Sequence, residues 1–234
     1  MKSRPAWTGR NGLQVAIKLK KTFNHCFVPA LEMTSEDTPD GRFYVTPDGN
    51  RYMSVTTFLS KFGDNSWVAD WIANVGEEKA REISVAATTR GNKIHAAAEQ
   101  YLLNNPKFLS YAEDELTLFK RFQPLLNHID DVVCLEHPLY SDMLKIAGRV
   151  DCIAKWKGEL AIIDFKTSSK SKTAEDIPNY FLQTTMYALM LQERYGLKTD
   201  KLVILVATGN AMVQCIEGRV SDWLPKLAEM IKQK

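Results

Sequence analysis

The sequence predicts an α/β (α+β) protein with a helical N-terminal portion followed by a strand-rich portion. Helical periodicity dominates from residue 66 to about residue 129. The pattern then changes to strands at about 132–140, 144–156 and 159–167, a helix at 178–195, strands at 201–208 and 211–217, and a closing helix from Ser221. Because the sequence shows neither an internal repeat nor a low-complexity linker, residues 22–234 are predicted to form one domain, divided into portions 22–130 and 131–234.

The residues before the helical portion predict a tail, a strand and a hairpin. Residues 1–21 contain basic but no acidic side chains and predict a basic tail. Residues 23–31 resemble a strand, and residues 42–46 and 51–55 a hairpin around a Pro-Asp-Gly turn.

Two helix boundaries are also predicted. Thr56 or Thr57 is expected to cap a short helix that ends at Phe62. Arg90 and Gly91 are expected to interrupt the helical portion.

Composition excludes several classes of protein. An apolar fraction of 45% and a charged fraction of 25% are ordinary for a globular protein, and no apolar run reaches membrane-spanning length. The N-terminus has no apolar segment of the secretory type. Four scattered cysteines without CxxC spacing argue against structural zinc or an iron–sulfur cluster and favour a reducing compartment. Basic clusters at residues 2–21 and 166–172 suit a phosphate polymer.

The stretch 158–169 predicts a buried strand that ends in charged residues. Asp164 and Lys166 should point to one face and Phe165 to the other, because strand side chains alternate. Desolvated charge is costly unless it has a partner, so we expect one nearby.

The preceding strand supplies that partner. A two-residue turn at Lys157 and Gly158 would place Asp151 opposite Asp164, with β-carbons roughly 4.5–5.5 Å apart. Alternation predicts Val150 and Cys152 on one face and Asp151 on the other. A divalent cation would relieve the repulsion between the carboxylates. A four-residue loop would keep this register, and a three-residue loop would break it.

Three further features have both a structural and a functional interpretation. His95 and Glu99 share a helix face, although a lone helical histidine is usually structural. Gln183 and Tyr187 share another helix face, where such residues usually flank the core. Glu136 lies within a strand pattern, where a charge is typical of an edge position.

Four segments in chain order resemble the PD-(D/E)XK nuclease superfamily, in particular its RecB-like exonuclease branch. They are RGNKIH at 90–95, GRVD at 148–151, IDFK at 163–166 and QTTMY at 183–187. Segments 52–57 and 75–78 extend the resemblance to the mitochondrial genome maintenance exonuclease group with its phage and bacterial relatives. The resemblance covers about residues 50–208. It implies a restriction-endonuclease-like core with a central mixed β-sheet flanked by helices.

The resemblance also implies roles for individual residues. The catalytic set it implies is Asp151, Asp164, Lys166, Gln183 and Tyr187. The metal-binding set it implies is His95, Asp151, Asp164 and Phe165. The substrate-binding set is Arg90, Glu136, Arg149, Thr167, Ser168 and Lys170, with Glu136 also a candidate additional acidic residue of the site.

The implied function is a DNA exonuclease that depends on Mg²⁺ or Mn²⁺ and prefers single-stranded DNA with free ends. Its partners would be DNA and replication or recombination proteins, without a membrane. Its location would be the cytoplasm of a bacterial or phage-infected cell rather than the mitochondrial matrix. Four aromatic residues are candidates for base stacking, at least half of them expected in the core: Trp67, Trp71, Tyr101 and Phe119. The alternatives are a flap- or branch-selective endonuclease and a non-catalytic nucleic-acid-binding accessory protein.

Overall fold

The computed structural model describes residues 21–106, 113–208 and 212–234. The predicted basic tail lies outside these residues except for Lys21. The strands are β1 (Thr34–Thr38), β2 (Gly41–Val45), β3 (Arg51–Ser54), β4 (Ile129–Ser141), β5 (Ile146–Trp156), β6 (Glu159–Ser168), β7 (Lys201–Thr208) and β8 (Val213–Arg219). The helices are α1 (Val55–Phe62), α2 (Ser66–Val75), α3 (Glu77–Leu102), α4 (Glu113–Leu126), α5 (Pro178–Tyr195) and α6 (Val220–Ile231). Among the helices in these ranges, none combines the length and the apolar character needed to cross a membrane.

The eight strands form one mixed sheet. Its order is β1-β2-β3-β5-β6-β7-β8, and β4 pairs with β5 beside this path. The β3–β5 and β6–β7 pairs are parallel, and the remaining pairs are antiparallel. The predicted α/β fold with a central mixed sheet is confirmed, as is the early hairpin, which β2 and β3 form.

Helices cover both faces of the sheet. On one face, Leu182 and Met186 of α5 pack in a cluster with residues of α1 and α6. On the other face, Ile94 of α3 and Phe122 of α4 pack in a second cluster. Each fully buried side chain of this kind contributes about 1.5–3 kcal/mol. The two clusters hold the sheet between two helical layers.

Strand β5 has one continuous neighbour and one interrupted edge. Along one edge, β4 pairs with it from Ile146 to Trp156. Along the other edge, β3 pairs with Ile146 and Ala147, and β6 pairs with Cys152 to Trp156. Residues 148–151 therefore lie in a gap between two strands, where backbone groups need other partners.

Tyr187 of α5 enters this gap. Its hydroxyl donates a hydrogen bond to the Arg149 carbonyl at 2.9 Å. A Cβ at Gly148 would lie 2.7 Å from the Tyr187 hydroxyl oxygen and 3.1 Å from Val55 Cγ2. Glycine at position 148 is therefore required by the close approach of Tyr187.

The strand predicted at 23–31 is wrong. Within it, His25 forms an isolated bridge with Val132, and short backbone pairing with β4 extends from Asn24 to Val28. Pro29 has no N–H to continue the ladder, and its carbonyl instead accepts a hydrogen bond from the Tyr195 hydroxyl.

The predicted interruption at Arg90 and Gly91 is also wrong, because α3 continues through both. Glycine inside a helix costs about 1 kcal/mol relative to alanine. The turns after Gly91 offset this cost by burying Ile94, Ala97 and Ala98.

The predicted N-cap of α1, Thr56 or Thr57, is wrong by two or three residues. Ser54 is the N-cap residue, and its hydroxyl accepts a hydrogen bond from the Thr57 N–H at 3.0 Å. The strand β3 therefore passes directly into the helix.

Glu217 of β8 links two parts of the sheet, the turn between β5 and β6 and the start of β7. Its carboxylate accepts hydrogen bonds from the Trp156 indole at 2.8 Å and from Lys157 at 3.0 Å, and it also bonds Lys201. The hydrogen bond from Lys201, with those from Trp156 and Lys157, lowers the pKa of Glu217 to about 2. The charged form of Glu217 is therefore favoured by folding.

We expect Glu217→Gln to destabilise the protein by about 1 kcal/mol near neutral pH, because the ion pairs are lost. A depressed carboxyl pKa contributes stability above the unfolded value of about 4.5, and this contribution disappears as pH falls toward about 2. Denaturant unfolding should show the gap between wild type and variant closing across that window. Glu159→Gln, at an exposed carboxylate of β6, is the control. A gap that stays constant from pH 6 to pH 2 would contradict the assignment.

We expect Gly148→Ala to destabilise the protein by about 1–3 kcal/mol, because the new methyl group overlaps the Tyr187 hydroxyl. Tyr187→Phe in the same chain should recover part of this loss, since it removes the nearest atom. Chemical denaturation of both single variants and the double variant measures the coupling. Gly91→Ala is the matched control, because its Cβ would meet Thr167 Oγ1 at an ordinary 3.7 Å. Strictly additive effects would mean that the overlap does not cause the loss.

Candidate active site

Strand β6 presents Asp164 and Lys166 toward α5 and Phe165 toward α3 and α4, as alternation predicts. Lys166 Nζ donates to Asp164 Oδ1 at 2.7 Å and lies 2.6 Å from Oδ2. Gln183 Nε2 of α5 donates to the same Oδ1 at 3.0 Å. Because Asp164 is only 2% exposed, its charge depends on these partners.

Asp151 is held by the backbone of β6. The predicted register is confirmed from Trp156 opposite Glu159 to Cys152 opposite Ile163. The ladder ends there, and Asp151 Oδ2 accepts a hydrogen bond from the Phe165 N–H at 2.8 Å. The predicted pair of Asp151 and Asp164 is thus not part of the ladder, and Asp151 instead contacts the backbone of Phe165, the residue after Asp164.

His95 of α3, Glu136 of β4 and Asp151 of β5 form a group that could hold a metal ion. One ligand atom from each lies within 4.8 Å of the others. His95 Nδ1 is 3.5 Å from Asp151 Oδ2 and 3.9 Å from Glu136 Oε1. The motif-based metal set did not include Glu136, which the structure places in this group.

At Glu136 in β4 and at Asp151 in β5, the regular alternation of side chains between the two faces of the sheet is interrupted. Val150 packs with Ile153 in the cluster on the α5 side, whereas Cys152 packs in the cluster on the α3 side. The prediction that Val150 and Cys152 share a face is therefore wrong. Glu136 has a φ of 44°, in the left-handed region that non-glycine residues rarely adopt. Local backbone strain thus coincides with the acidic pair.

Burial and neighbouring charges shift the pKa values in the site. Burial raises the pKa of Asp164 to about 6, although Lys166 opposes the shift. Burial alone would lower the pKa of His95, but Glu136 and Asp151 outweigh it and raise that pKa. Burial likewise acts against charge on Lys166, but Asp164 and Asp151 raise its pKa overall. Lys166 therefore stays charged at neutral pH.

Gln183 and Tyr187 connect α5 to the site rather than merely flanking the core. Both are buried, at 8% and 3% exposure. Gln183 fixes the Asp164 carboxylate, and Tyr187 bonds the backbone of β5 two residues before Asp151. Their catalytic roles remain predictions.

Tyr180 is a site residue that the sequence analysis missed. Lys166 Nζ lies 5.0 Å from the centroid of its ring. Tyr180 stands three positions before Gln183, so both occupy one face of α5. That spacing was the available signal, but no motif singles it out.

The predicted substrate-binding residues surround these groups. Thr167 and Ser168 are half-buried at the end of β6, and Lys170 is exposed in the following loop. Arg149 is exposed and donates to the Glu136 carbonyl at 3.2 Å. Arg90 lies in α3 beside Gly91, and its buried Nε has no hydrogen-bond partner within the described ranges. Substrate contacts by all of these residues remain predictions.

The aromatic residues proposed for base stacking divide as follows. Tyr101 and Phe119 are core residues, at 0% and 3% exposure, so a stacking role for them is wrong. Trp71 is half-buried, and the Trp67 side chain lies outside the described part of the chain.

The residues of the site fit a divalent cation. Two carboxylates and one imidazole converge on the group of His95, Glu136 and Asp151. Asp164 Oδ2 is buried and, among the described residues, receives no hydrogen bond despite its contact with Lys166. Oxygen ligands with one nitrogen suit hard divalent ions better than they suit tetrahedral zinc. Metal binding by Asp164 and Phe165 remains a prediction.

The chain resembles curated exonucleases. Mitochondrial genome maintenance exonuclease 1 of Mus musculus is 30% identical over 45% of this chain and 32% of its own length. The protein of the same name from Homo sapiens is 29% identical over 51% and 33%, and that from Xenopus tropicalis is 30% identical over 60% and 42%. The matches thus span about a third to two fifths of these relatives.

A solved structure has a similar fold. A crystal structure of a chain assigned as an exonuclease from Eubacterium rectale superposes with a TM-score of 0.50 over 78% of each chain, at 13% identity. This likeness supports the fold alone. The model of the PD-(D/E)XK nuclease superfamily matches residues 112–230, which include β4 to β8 and most of α6. The resemblance seen in the motifs is confirmed, and the chain belongs to the PD-(D/E)XK nuclease superfamily.

Proposed function

We propose that this protein is a metal-dependent DNA exonuclease that acts on single-stranded ends in replication, recombination or repair. The observation that supports it most is the buried Asp164–Lys166 pair beside the group of His95, Glu136 and Asp151. A binding module would have no use for buried carboxylates next to a phosphate chain. The relatives are named as exonucleases, which favours action at DNA ends.

Each side chain has a defined task in this proposal. His95, Glu136 and Asp151, together with Asp164, would hold Mg²⁺ or Mn²⁺. The bound ion would activate a water molecule and neutralise phosphoryl oxygens. Lys166 directs its ammonium at the charge that develops on the scissile phosphate. Gln183 keeps the Asp164 carboxylate oriented. Thr167, Ser168, Lys170, Arg90 and Arg149 contact neighbouring phosphates.

The free thiols fit a reducing compartment, and we place the enzyme in the cytoplasm of a bacterial or phage-infected cell. Cys134 and Cys152 are buried and unpaired. Burial raises the pKa of Cys134 to about 12, so its thiol is unreactive.

We expect Lys166→Ala and Asp164→Asn to reduce DNA cleavage by at least about 10³-fold, because charge stabilisation and the metal site are lost. End-labelled single- and double-stranded DNA with Mg²⁺, Mn²⁺ or EDTA provides the assay. Lys155→Ala, which removes an exposed lysine of β5, is the control and should cleave normally. Circular dichroism verifies folding. A Lys166→Ala protein as active as wild type would refute the assignment.

Covalently closed single-stranded circles separate the candidate functions. An enzyme that requires ends leaves circles intact and degrades linear strands of the same sequence. Cleavage of circles, or preferential cutting of flaps, would favour the endonuclease alternative. DNA binding without nucleotide release in any metal would favour the accessory-protein alternative.

We expect divalent cations to bind more weakly as pH falls through about 6, the pKa of Asp164, because a protonated carboxyl does not coordinate metal. Protonation of His95, whose pKa is raised, acts in the same direction. Isothermal titration of the DNA-free protein with Mn²⁺ at pH 7.5 and pH 5.5 measures the change. Glu136→Gln should weaken binding by at least about tenfold at pH 7.5. The exposed-site variant Glu159→Gln should match wild type. Equal affinity at both pH values would contradict the assigned ligands.

A further inference from the structure

We infer that Tyr180 is a positioning residue for Lys166. Its ring holds the Lys166 ammonium in the site when the Asp164 carboxylate binds another cation. The inference rests on the proposed nuclease function. Tyr180 lies outside the four motifs, and only its contact with Lys166 identifies it.

The surroundings of Lys166 motivate this role. Its side chain is 19% exposed, so water solvates the ammonium only in part. Among the described residues, the ammonium contacts the Asp164 carboxylate and the face of the Tyr180 ring. The Asp151 carboxylate also attracts it. If Asp164 turns its oxygens to another cation, the ring is a short-range partner that Lys166 retains.

A ring face has the properties that this position requires. It attracts a cation through its quadrupole but does not accept a proton. It therefore leaves the N–H donors of the lysine largely free for a phosphate oxygen or a water. A second carboxylate in the same place would neutralise the ammonium and oppose its task.

One helix sets the positions of both charged residues. Gln183 of α5 bonds Asp164, and Tyr180 lies one turn earlier on the same face and contacts Lys166. The face of α5 turned to the core is buried through Phe181, Leu182 and Met186. Because α5 is fixed by this packing, the placement of Lys166 relative to Asp164 does not depend on a loop.

The first test is a series of shape-matched side chains at position 180. Tyr180→Phe keeps the ring face and should keep kcat within about twofold of wild type. Pentafluorophenylalanine at 180 has nearly the same shape but a reversed quadrupole, and should lower kcat about tenfold or more with KM nearly unchanged. Tyr180→Leu should resemble the fluorinated variant.

Tyr195→Leu is the control for loss of an aromatic side chain on the same helix. Tyr195 is the last residue of α5, at the end opposite Tyr180, and its hydroxyl donates a hydrogen bond to the Pro29 carbonyl at 2.6 Å. This variant should lower stability and leave kcat unchanged. Equal kcat values for the phenylalanine and pentafluorophenylalanine proteins would overturn the inference, whether both match wild type or both are lowered.

A second test needs neither metal nor DNA. Unfolding midpoints of Tyr180→Leu, Lys166→Met and the double variant form a cycle. The double variant should lose less than the two single losses combined, because the contact can be lost only once. Additive losses would overturn the inference. If the wild type proves inactive on all DNA substrates, the proposed function fails, while this cycle still decides whether the ring and the ammonium interact.

Discussion

The site depends on a buried ion pair that would be unfavourable in isolation. Asp164 and Lys166 are two positions apart on one strand, so the extended backbone alone brings them to the same face. Removing both charges from water costs several kcal/mol, which mutual attraction offsets only when further polar partners are present. Gln183 supplies a hydrogen bond to the carboxylate, and Tyr180 places its ring against the ammonium. Helix α5 is thus needed both for the site and for the hydrophobic core on its side of the sheet.

The sheet places the remaining acidic groups by departing from regularity. β3 and β6 leave a gap along β5, and β4 and β5 both change faces at the level of Glu136 and Asp151. A regular ladder would direct such carboxylates into an apolar layer or leave them at an edge. Here they meet His95 of α3, and the Asp151 carboxylate also accepts a β6 backbone hydrogen bond. The irregular segment thus brings both carboxylates to the imidazole of His95, in an arrangement that could hold a cation.

Much of the fold could be predicted because it follows from local rules. The two-residue turn at Lys157 and Gly158 determines the β5–β6 register, and the structure has that register. The helix at 178–195 and the strand at 201–208 begin and end where the pattern indicates. Gly158, with a φ of 90°, shows why glycine occupies the turn. Motif order then gave the family without any knowledge of tertiary contacts.

The features that sequence reasoning missed depend on long-range contacts. Glu136, which approaches His95, has a backbone φ of 44°, and no side-chain pattern predicts that conformation. The continuity of α3 through Gly91 depends on the burial of later turns. Tyr180 acquires its partner only when α5 packs beside β6.

The short pairing of residues 24–28 with β4 has a consequence for any shortened version of this domain. β4 pairs with β5 on one side, and its other side receives the Cys26 and Val28 N–H groups at Val132 and Val133. An uncovered strand of this kind offers backbone donors and acceptors to a neighbouring molecule and promotes intermolecular association. A shortened chain that begins at Thr34, the first residue of β1, would lose that cover. A shortened chain that begins before Asn24 would keep it.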